Sequence, residues 1–459
     1  MQPEHLIFGG GAVESRLQPF VAVCMVIAIL LILLLPRNKA IVAFLLSFFT
    51  IPLAQVIVVG SLHFPVLRIL MLAGLARMAL SSSSSGNKLP GGFNAVDRVV
   101  VLWTISLLIV LSLQWLELPA FVKFVADFID ALGGYLVLRF LIPDSETVKR
   151  TVKVLALICV IQGVCMVSEQ FTHQNVFASL GMNQPALRDG HIRSEGTLGT
   201  LYGGTFAGVL MPMFLWLWNN GKSRMAACAG IVGATAMVFA SHASTSWLAY
   251  AAGLGGLCFW ALRDRMRLLR FGIVGILVGL HLVMHGPVWS LIEKIDLTGG
   301  SSSYHRYMLV DNCIRHFSDW WLLGYKNYGD WGFDMWDLCN QFVAVALTGG
   351  LISLILFIMI YSRSFSAIGK ARKLVEGDKA EEWFLWCLGS TLFANVVASF
   401  GINYMVQLET AFFALLACIS VATLKAVQAV VPGVETVGHS QFRSATSAAR
   451  NCLPIRELR

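Results

Sequence analysis

Two arginines stand where a guanidinium can do chemistry. Arg193 opens the run Arg-Ser-Glu-Gly-Thr-Leu-Gly (residues 193–199) just before an apolar stretch. With Ser194 and Gly196 beside it, its planar fork can meet a ligand next to exposed backbone N–H groups at a helix start, an anion site in outline. The competing reading is an interfacial arginine resting on lipid phosphate. Arg306 closes Ser-Ser-Tyr-His-Arg (302–306), with His305 adjoining it. After it Tyr307, Val310, Cys313 and Ile314 recur at helical spacing, which predicts an amphipathic helix with Arg306 near its start. Trp320, Trp321, Tyr325, Tyr328, Trp331 and Trp336 make the next stretch the most aromatic of the chain. Such rings stack on sugar faces or form an interfacial belt, and the belt is the commoner role.

These residues are embedded in a chain that is 57% hydrophobic and 13% charged, with mean hydropathy +0.71. Soluble domains run to roughly 45–50% apolar and 25% charged. The excess apolar surface must therefore face lipid. The formal charge of +8 is not gathered into a basic, aromatic-interleaved patch on a polar domain, so nucleic acid is not an expected partner. The ten cysteines include no CxxC pair and no Cys/His cluster at zinc spacing, and most lie in apolar runs as small core residues. Cys313 and Cys339 fall instead in a polar loop, where two unpaired thiols are the favoured reading over a disulfide.

A membrane helix needs about 20 apolar residues. Such runs cover 19–35, 40–60, 65–80, 99–115, 121–142, 152–167, 198–218, 226–241, 246–262, 271–287, 341–361, 383–400 and 404–427. The fold class expected is all-α, a polytopic membrane bundle of about 12–13 spans occupying residues 1–430. The run 121–142 carries Lys123, Asp127 and Asp130 and either has a polar outer end or lies partly along the interface. The first run is read as a retained span, since Glu14 and Arg16 precede it in place of a basic leader. Connectors holding Arg37 and Lys39, Lys88 and Arg98, Lys149 and Arg150, Lys222 and Arg224, Arg263 to Arg270, and Arg363 to Lys373 alternate with poorly charged ones. That alternation puts the basic connectors in the cytoplasm and the others outside.

Two outer loops, 169–200 and 287–340, exceed what a turn requires, and long structured loops in a compact bundle are usually functional. Residues 293–337 hold seven acidic against four basic side chains, which keeps the second loop outside. The serine run 81–85 reads as a flexible linker and 431–459 as a disordered cytoplasmic tail. Polar residues within spans (Arg68, Arg77, Arg139, His242, His281, Asn403, Glu409) are functional suspects by default, but most lie near predicted helix ends, where snorkelling or capping suffices. Ser241, Ser244, Thr245 and Ser246 read as close helix packing rather than site lining.

The sequence Arg-Ser-Glu-Gly-Thr-Leu-Gly in the first loop, then Ser-Ser-Tyr-His-Arg, Trp-Trp-Leu-Leu-Gly and Asp-Leu-Cys-Asn-Gln in the second before a Thr-Gly-Gly span, resembles the O-antigen ligase and O-antigen polymerase superfamily. The likeness covers residues 168–353 best. It implies a GT-C-like bundle and metal-independent glycosyl transfer at the outer leaflet, without a cofactor. The donor and acceptor it implies are polyprenyl-pyrophosphate-linked glycans, with membrane lipid around them and a chain-length regulator as a candidate partner. It assigns pyrophosphate binding to Arg193 and Arg306, with Gly196 and Asn340 in the matching substrate-binding motifs. Guanidinium donors stabilise a departing diphosphate without a cation, and neither outer loop contains an Asp-x-Asp pair. Where the ligase branch has a catalytic histidine, this chain reads Cys339-Asn340, with Gly350 at the matching distance. His305 and Asp337 are the candidate replacements as base, each weighed against being a solvated loop residue. The expected activity is polymerisation of lipid-linked repeats into O-antigen or exopolysaccharide. The alternatives are a ligase acting on lipid A core and a lipid-linked glycan flippase, the latter lacking the inverted repeats such transporters carry.

Overall fold

The computed structural model describes residues 15–430 except 61, 82–87, 189, 220 and 295–301. Most of the serine linker, the tail 431–459 and part of the second loop lie outside the described residues. In chain order the elements are α1 (Pro19–Leu34), α2 (Arg37–Thr50), the hairpin β1 (Val56–Val59) and β2 (Leu62–Pro65), α3 (Val66–Leu80), α4 (Ala95–Trp115), α5 (Leu118–Leu141) and α6 (Ser145–Thr172). A second hairpin, β3 (Ala186–Arg188) and β4 (His191–Arg193), precedes α7 (Thr200–Trp218), α8 (Arg224–Ser241), α9 (Ser244–Cys258) and α10 (Met266–Val283). The short α11 (Leu291–Lys294), then α12 (Ser302–Arg315) and α13 (Phe317–Trp320), lead to α14 (Gln341–Leu374), α15 (Lys379–Ser399) and α16 (Val406–Val430). The protein is an all-α bundle with two small antiparallel hairpins.

Seven helices among the described residues are long and apolar enough to cross a membrane, and α1 is a shorter apolar helix. The exposed Leu, Ile, Val and Phe side chains of α1 and α10 are of the kind a lipid-facing surface carries, and no residue of α10 is buried. Helix starts follow local chemistry. Asn94 and Asp97 form a reciprocal capping box on α4, and Asp144, Asn340 and Asp378 cap α6, α14 and α15 with their side-chain oxygens. α6 runs to Thr172, a turn beyond the apolar run that marks it in sequence, because polar Glu169 and Gln170 are satisfied by the loop that follows.

The packed centre is α6 and α7 against α8 and α9, with α15 closing the far side. Glycines permit the approach: a Cβ on Gly163 of α6 would stand 2.9 Å from the Gly233 carbonyl oxygen of α8. Arg139 of α5 and Asp97 of α4, both fully buried, form an ion pair at 2.9 Å that also receives the Tyr135 hydroxyl.

The basic connectors gather at one end. Arg37 reaches the Phe140 and Lys88 carbonyls, Arg150 the Asn38 carbonyl, and Arg372 the Asp264 carboxylate. Both long loops gather at the other end, where Gln55 of the first connector reaches the Leu180 carbonyl at 2.7 Å and Gln114 reaches the Leu323 carbonyl at 3.1 Å. The second loop is fastened at a break in α14. Gly350 adopts φ 66°, and the freed Leu351 N–H donates to the Trp321 carbonyl at 2.9 Å. A Cβ at Gly350 would lie 2.7 Å from the Leu322 carbonyl oxygen, so only glycine fits.

Candidate functional site

Arg193 ends β4, whose register sets Ala186 opposite Arg193 and Arg188 opposite His191. The hairpin is anchored on the last turn of α8, since the Ser194 N–H donates to the Ala240 carbonyl at 3.1 Å. Gln170 bridges the Ile192 carbonyl, the Ser194 hydroxyl and the Ala240 carbonyl with one amide nitrogen. His242, the left-handed C-cap of α8, stacks on His191 with ring centroids 4.8 Å apart. Burial, then the charges of His191 and Arg193, hold its imidazole below the usual histidine range.

The backbone N–H groups beside Arg193 are not open to a ligand as the sequence suggests. The buried Glu169 carboxylate accepts from Glu195 N–H at 2.7 Å and from Gly196 N–H at 2.9 Å. An internal carboxylate thus fills the donor nest that an anion would otherwise enter. Gly196 holds φ +58°, and a Cβ there would stand 2.6 Å from Gln162 Oε1. Thr197 in turn bonds Gln162 and the Phe49 carbonyl. The motif is a clamp that fixes where Arg193 emerges.

Arg306 sits near the start of α12, as its sequence spacing predicts. Leu309, Asp311, Asn312 and Cys313 form the buried face of that helix, whereas Ile314 is exposed. Trp320 Nε1 donates to the Cys313 carbonyl at 2.7 Å, and Tyr325, Trp331 and His316 stack in a column. These aromatics hold the loop together, while Trp321 and Trp336 remain exposed. Arg306 Nη2 donates to Thr245 Oγ1 at 3.0 Å, and that hydroxyl donates to the Gly401 carbonyl at 3.0 Å. Among the described residues, the buried Arg306 Nε has no hydrogen-bond partner.

Arg306 grips Thr245 in the first turn of α9, and the charge of Arg193 acts on His242, the C-cap of α8 three residues earlier, so both loops bear on the α8–α9 junction. Thr245, which reads in sequence as packing, is the partner of Arg306, while Ser241 and Ser246 do pack, against Gly204.

The candidate bases come together as well. His305 Nε2 lies 2.9 Å from the Asp337 carbonyl oxygen, which can only accept, so Nε2 is the donor, and a neutral ring in this pose has its lone pair on Nδ1. A ligand atom from each of His305, Asp337 and Cys339 falls within 4.8 Å of the others. A mixed N/O/S trio, absent as a linear motif, is assembled here by the fold. Burial pushes the Cys339 thiol up to about 12, against the opposing pull of Arg306, and Cys313 is likewise raised to about 12 by burial; both are free thiols.

Asn340 is 1% exposed and its polar atoms are engaged internally. Its oxygen accepts from Phe342 and Val343 N–H and its amide donates to the Phe400 carbonyl. Next to the trio, Tyr202 of α7 lies within electrostatic reach of Asp337 and Cys339. It also lines a cavity of about 320 Å³ with Asn183, Glu195, Met405, Gln407 and Leu408. Burial raises the Glu195 carboxyl above its usual range, opposed by the Thr200 hydroxyl that donates to it at 2.9 Å. No protein-family model and no curated protein matches this chain.

Proposed function

We propose that the chain is a multi-pass membrane glycosyltransferase that polymerises polyprenyl-pyrophosphate-linked oligosaccharide repeats. In this reading about 12–13 membrane passes form a GT-C-like bundle in a bacterial inner membrane, the shorter helices crossing with the seven long ones, and both loops face the periplasm. The observation that carries it is the Arg306–Thr245 hydrogen bond at the start of α9, close in sequence to the α8 C-cap His242, whose ring feels the charge of Arg193 from the other loop. A departing diphosphate gains negative charge as its glycosidic bond breaks, and fixed guanidinium forks are the donors suited to it. Arg306 also carries a buried N–H that finds no acceptor among the described residues, a state that costs about 1–3 kcal/mol and that a small shift toward an anionic oxygen relieves.

The acceptor hydroxyl attacks the anomeric carbon as the bond to the diphosphate breaks. His305 Nδ1 takes the hydroxyl proton, Asp337 fixes the ring through its carbonyl, and the leaving polyprenyl diphosphate stays on the arginines. The chemistry asks for no metal. Asn340 and Gly196 serve by shaping the loop ends rather than by touching sugar. Arg193→Lys and Arg306→Lys are tested separately on purified protein given a polyprenyl-diphosphate-linked oligosaccharide. Both variants should lose long products, because lysine keeps the charge but not the fork. Wild-type chain length in both, at equal protein level, removes the site.

One observation keeps the ligase reading in view. His305, though distant in sequence, lies beside Cys339, the position where the ligase-like pattern has its histidine. Transfer of the glycan to a lipid A core acceptor in the same assay, in place of elongation on the carrier, selects that reading.

A further inference from the structure

We infer that His305, Asp337 and Cys339 form a binding site for a borderline-soft divalent cation of the Zn²⁺ class. The inference rests on the geometry of the three side chains and not on the proposed reaction. They come from two segments more than thirty residues apart, yet their ligand atoms lie within 4.8 Å of one another. In a tetrahedral zinc site such atoms stand roughly 3.3–3.7 Å apart, given metal–ligand bonds of about 2.0–2.3 Å, so closure requires shifts of about 1 Å.

The imidazole is already oriented. Its Nε2 faces the Asp337 carbonyl, the kind of outer-shell contact that metal-binding histidines make, and a neutral ring so bonded has Nδ1 as the nitrogen that can take a metal. One nitrogen, one carboxylate and one sulfur suit Zn²⁺ or Co²⁺, whereas Mg²⁺ and Ca²⁺ prefer oxygen alone. Three protein ligands leave a fourth position open, the arrangement of a site that also takes water or another small ligand.

The surrounding charge permits the ion. Arg306 is the cation acting on Cys339, but its Nη2 is held back by Thr245, and Asp334 adds a further negative charge. Binding replaces the thiol proton: Sγ–H gives its proton to solvent and the thiolate pair bonds the metal, leaving a complex of Zn²⁺ with one thiolate, one carboxylate and a neutral imidazole. An ion there takes the same Nδ1 lone pair the base would use, so occupancy and proton abstraction by His305 exclude one another.

Untagged, chelator-treated full-length protein in lipid nanodiscs is titrated with Zn²⁺ against a chromophoric chelator, and separately with Co²⁺. The expected result is close to one ion per chain, a thiolate-to-cobalt charge-transfer band in the near ultraviolet, and no competition from excess Mg²⁺. Cys339→Ser should abolish that band, and Cys339→Ser, His305→Ala and Asp337→Asn should each weaken zinc on the order of tenfold or more. Cys313→Ser should change neither. Zinc uptake that is substoichiometric, or a cobalt band that survives Cys339→Ser, overturns the inference. Zinc bound as expected without any loss of elongation would count against His305 as base and leave the ion site standing.

Discussion

Arg306 and Thr245 are joined by a 3.0 Å hydrogen bond from Nη2 to Oγ1, and Thr245 is itself tied to the Gly401 carbonyl. The guanidinium is thus aimed by a hydroxyl on a different helix from its own. Removing that hydroxyl while keeping the shape, as in Thr245→Val, releases the fork and costs the roughly 1.5–3 kcal/mol typical of a hydrogen bond to a charged group. Elongation by purified protein should fall about tenfold to a hundredfold, at unchanged expression, and Thr245→Ser should keep most of it. Equal rates for the Val and wild-type proteins would show that Arg306 needs no such support.

Gly196 tests the first loop. Its φ of +58° and the 2.6 Å approach a Cβ would make to Gln162 Oε1 leave no room for alanine. Gly196→Ala should lower stability by about 1–3 kcal/mol, read as an earlier midpoint in thermal unfolding in detergent. Glu169→Gln should act similarly, because a neutral amide oxygen accepts the Glu195 and Gly196 N–H bonds less strongly than a carboxylate does. An unchanged midpoint in both variants would mean that the clamp is not a source of stability.

The all-α helical bundle is legible because apolar runs are a local property of the chain. α12 with Arg306 near its start is visible for the same reason, through periodicity. What periodicity cannot supply is which side chain meets which across sequence distance. Thr245 lies in the serine-rich first turn of α9, whose composition is that of ordinary helix packing, and its partner is 61 residues away. Glu169 reads as the polar end of a helix until the loop folds back on it. The stacking of His191 on His242 and the gathering of His305 with Cys339 likewise depend on tertiary closure. Arg139 looks like a snorkelling residue near a helix end, yet it is fully buried because Asp97, on the neighbouring helix, neutralises it.

That pair yields a third prediction. Both side chains are 0% exposed, with Arg139 Nε 2.9 Å from Asp97 Oδ1. Asp97→Asn leaves a buried guanidinium uncompensated and should cost about 3–5 kcal/mol. The double replacement Asp97→Leu with Arg139→Met removes both charges and should recover much of the loss, since a buried pair is nearly balanced by its desolvation cost. Thermal unfolding of the single and double variants in one detergent decides the matter. A double variant no more stable than Asp97→Asn would assign the pair a net stabilising role instead.

His242 supplies the pH dependence. Burial, and then the positive fields of His191 and Arg193, disfavour its protonated form, so its folded-state pKa lies below the ordinary histidine value. The unfolded chain then binds the proton first as pH falls, and stability rises with pH wherever the unfolded state holds more protons. The contribution is present above the ordinary histidine range, about 6.5, and is lost as pH drops from there through the lower folded value. His242→Gln cannot take up that proton and should flatten the decline in unfolding midpoint on the acid side. Added inorganic diphosphate should protect the wild-type protein more at acid pH than at neutral pH, because an anion between His242 and Arg193 favours the protonated ring. Parallel acid declines in the two proteins, with diphosphate equally protective at every pH, would separate His242 from the arginine it adjoins.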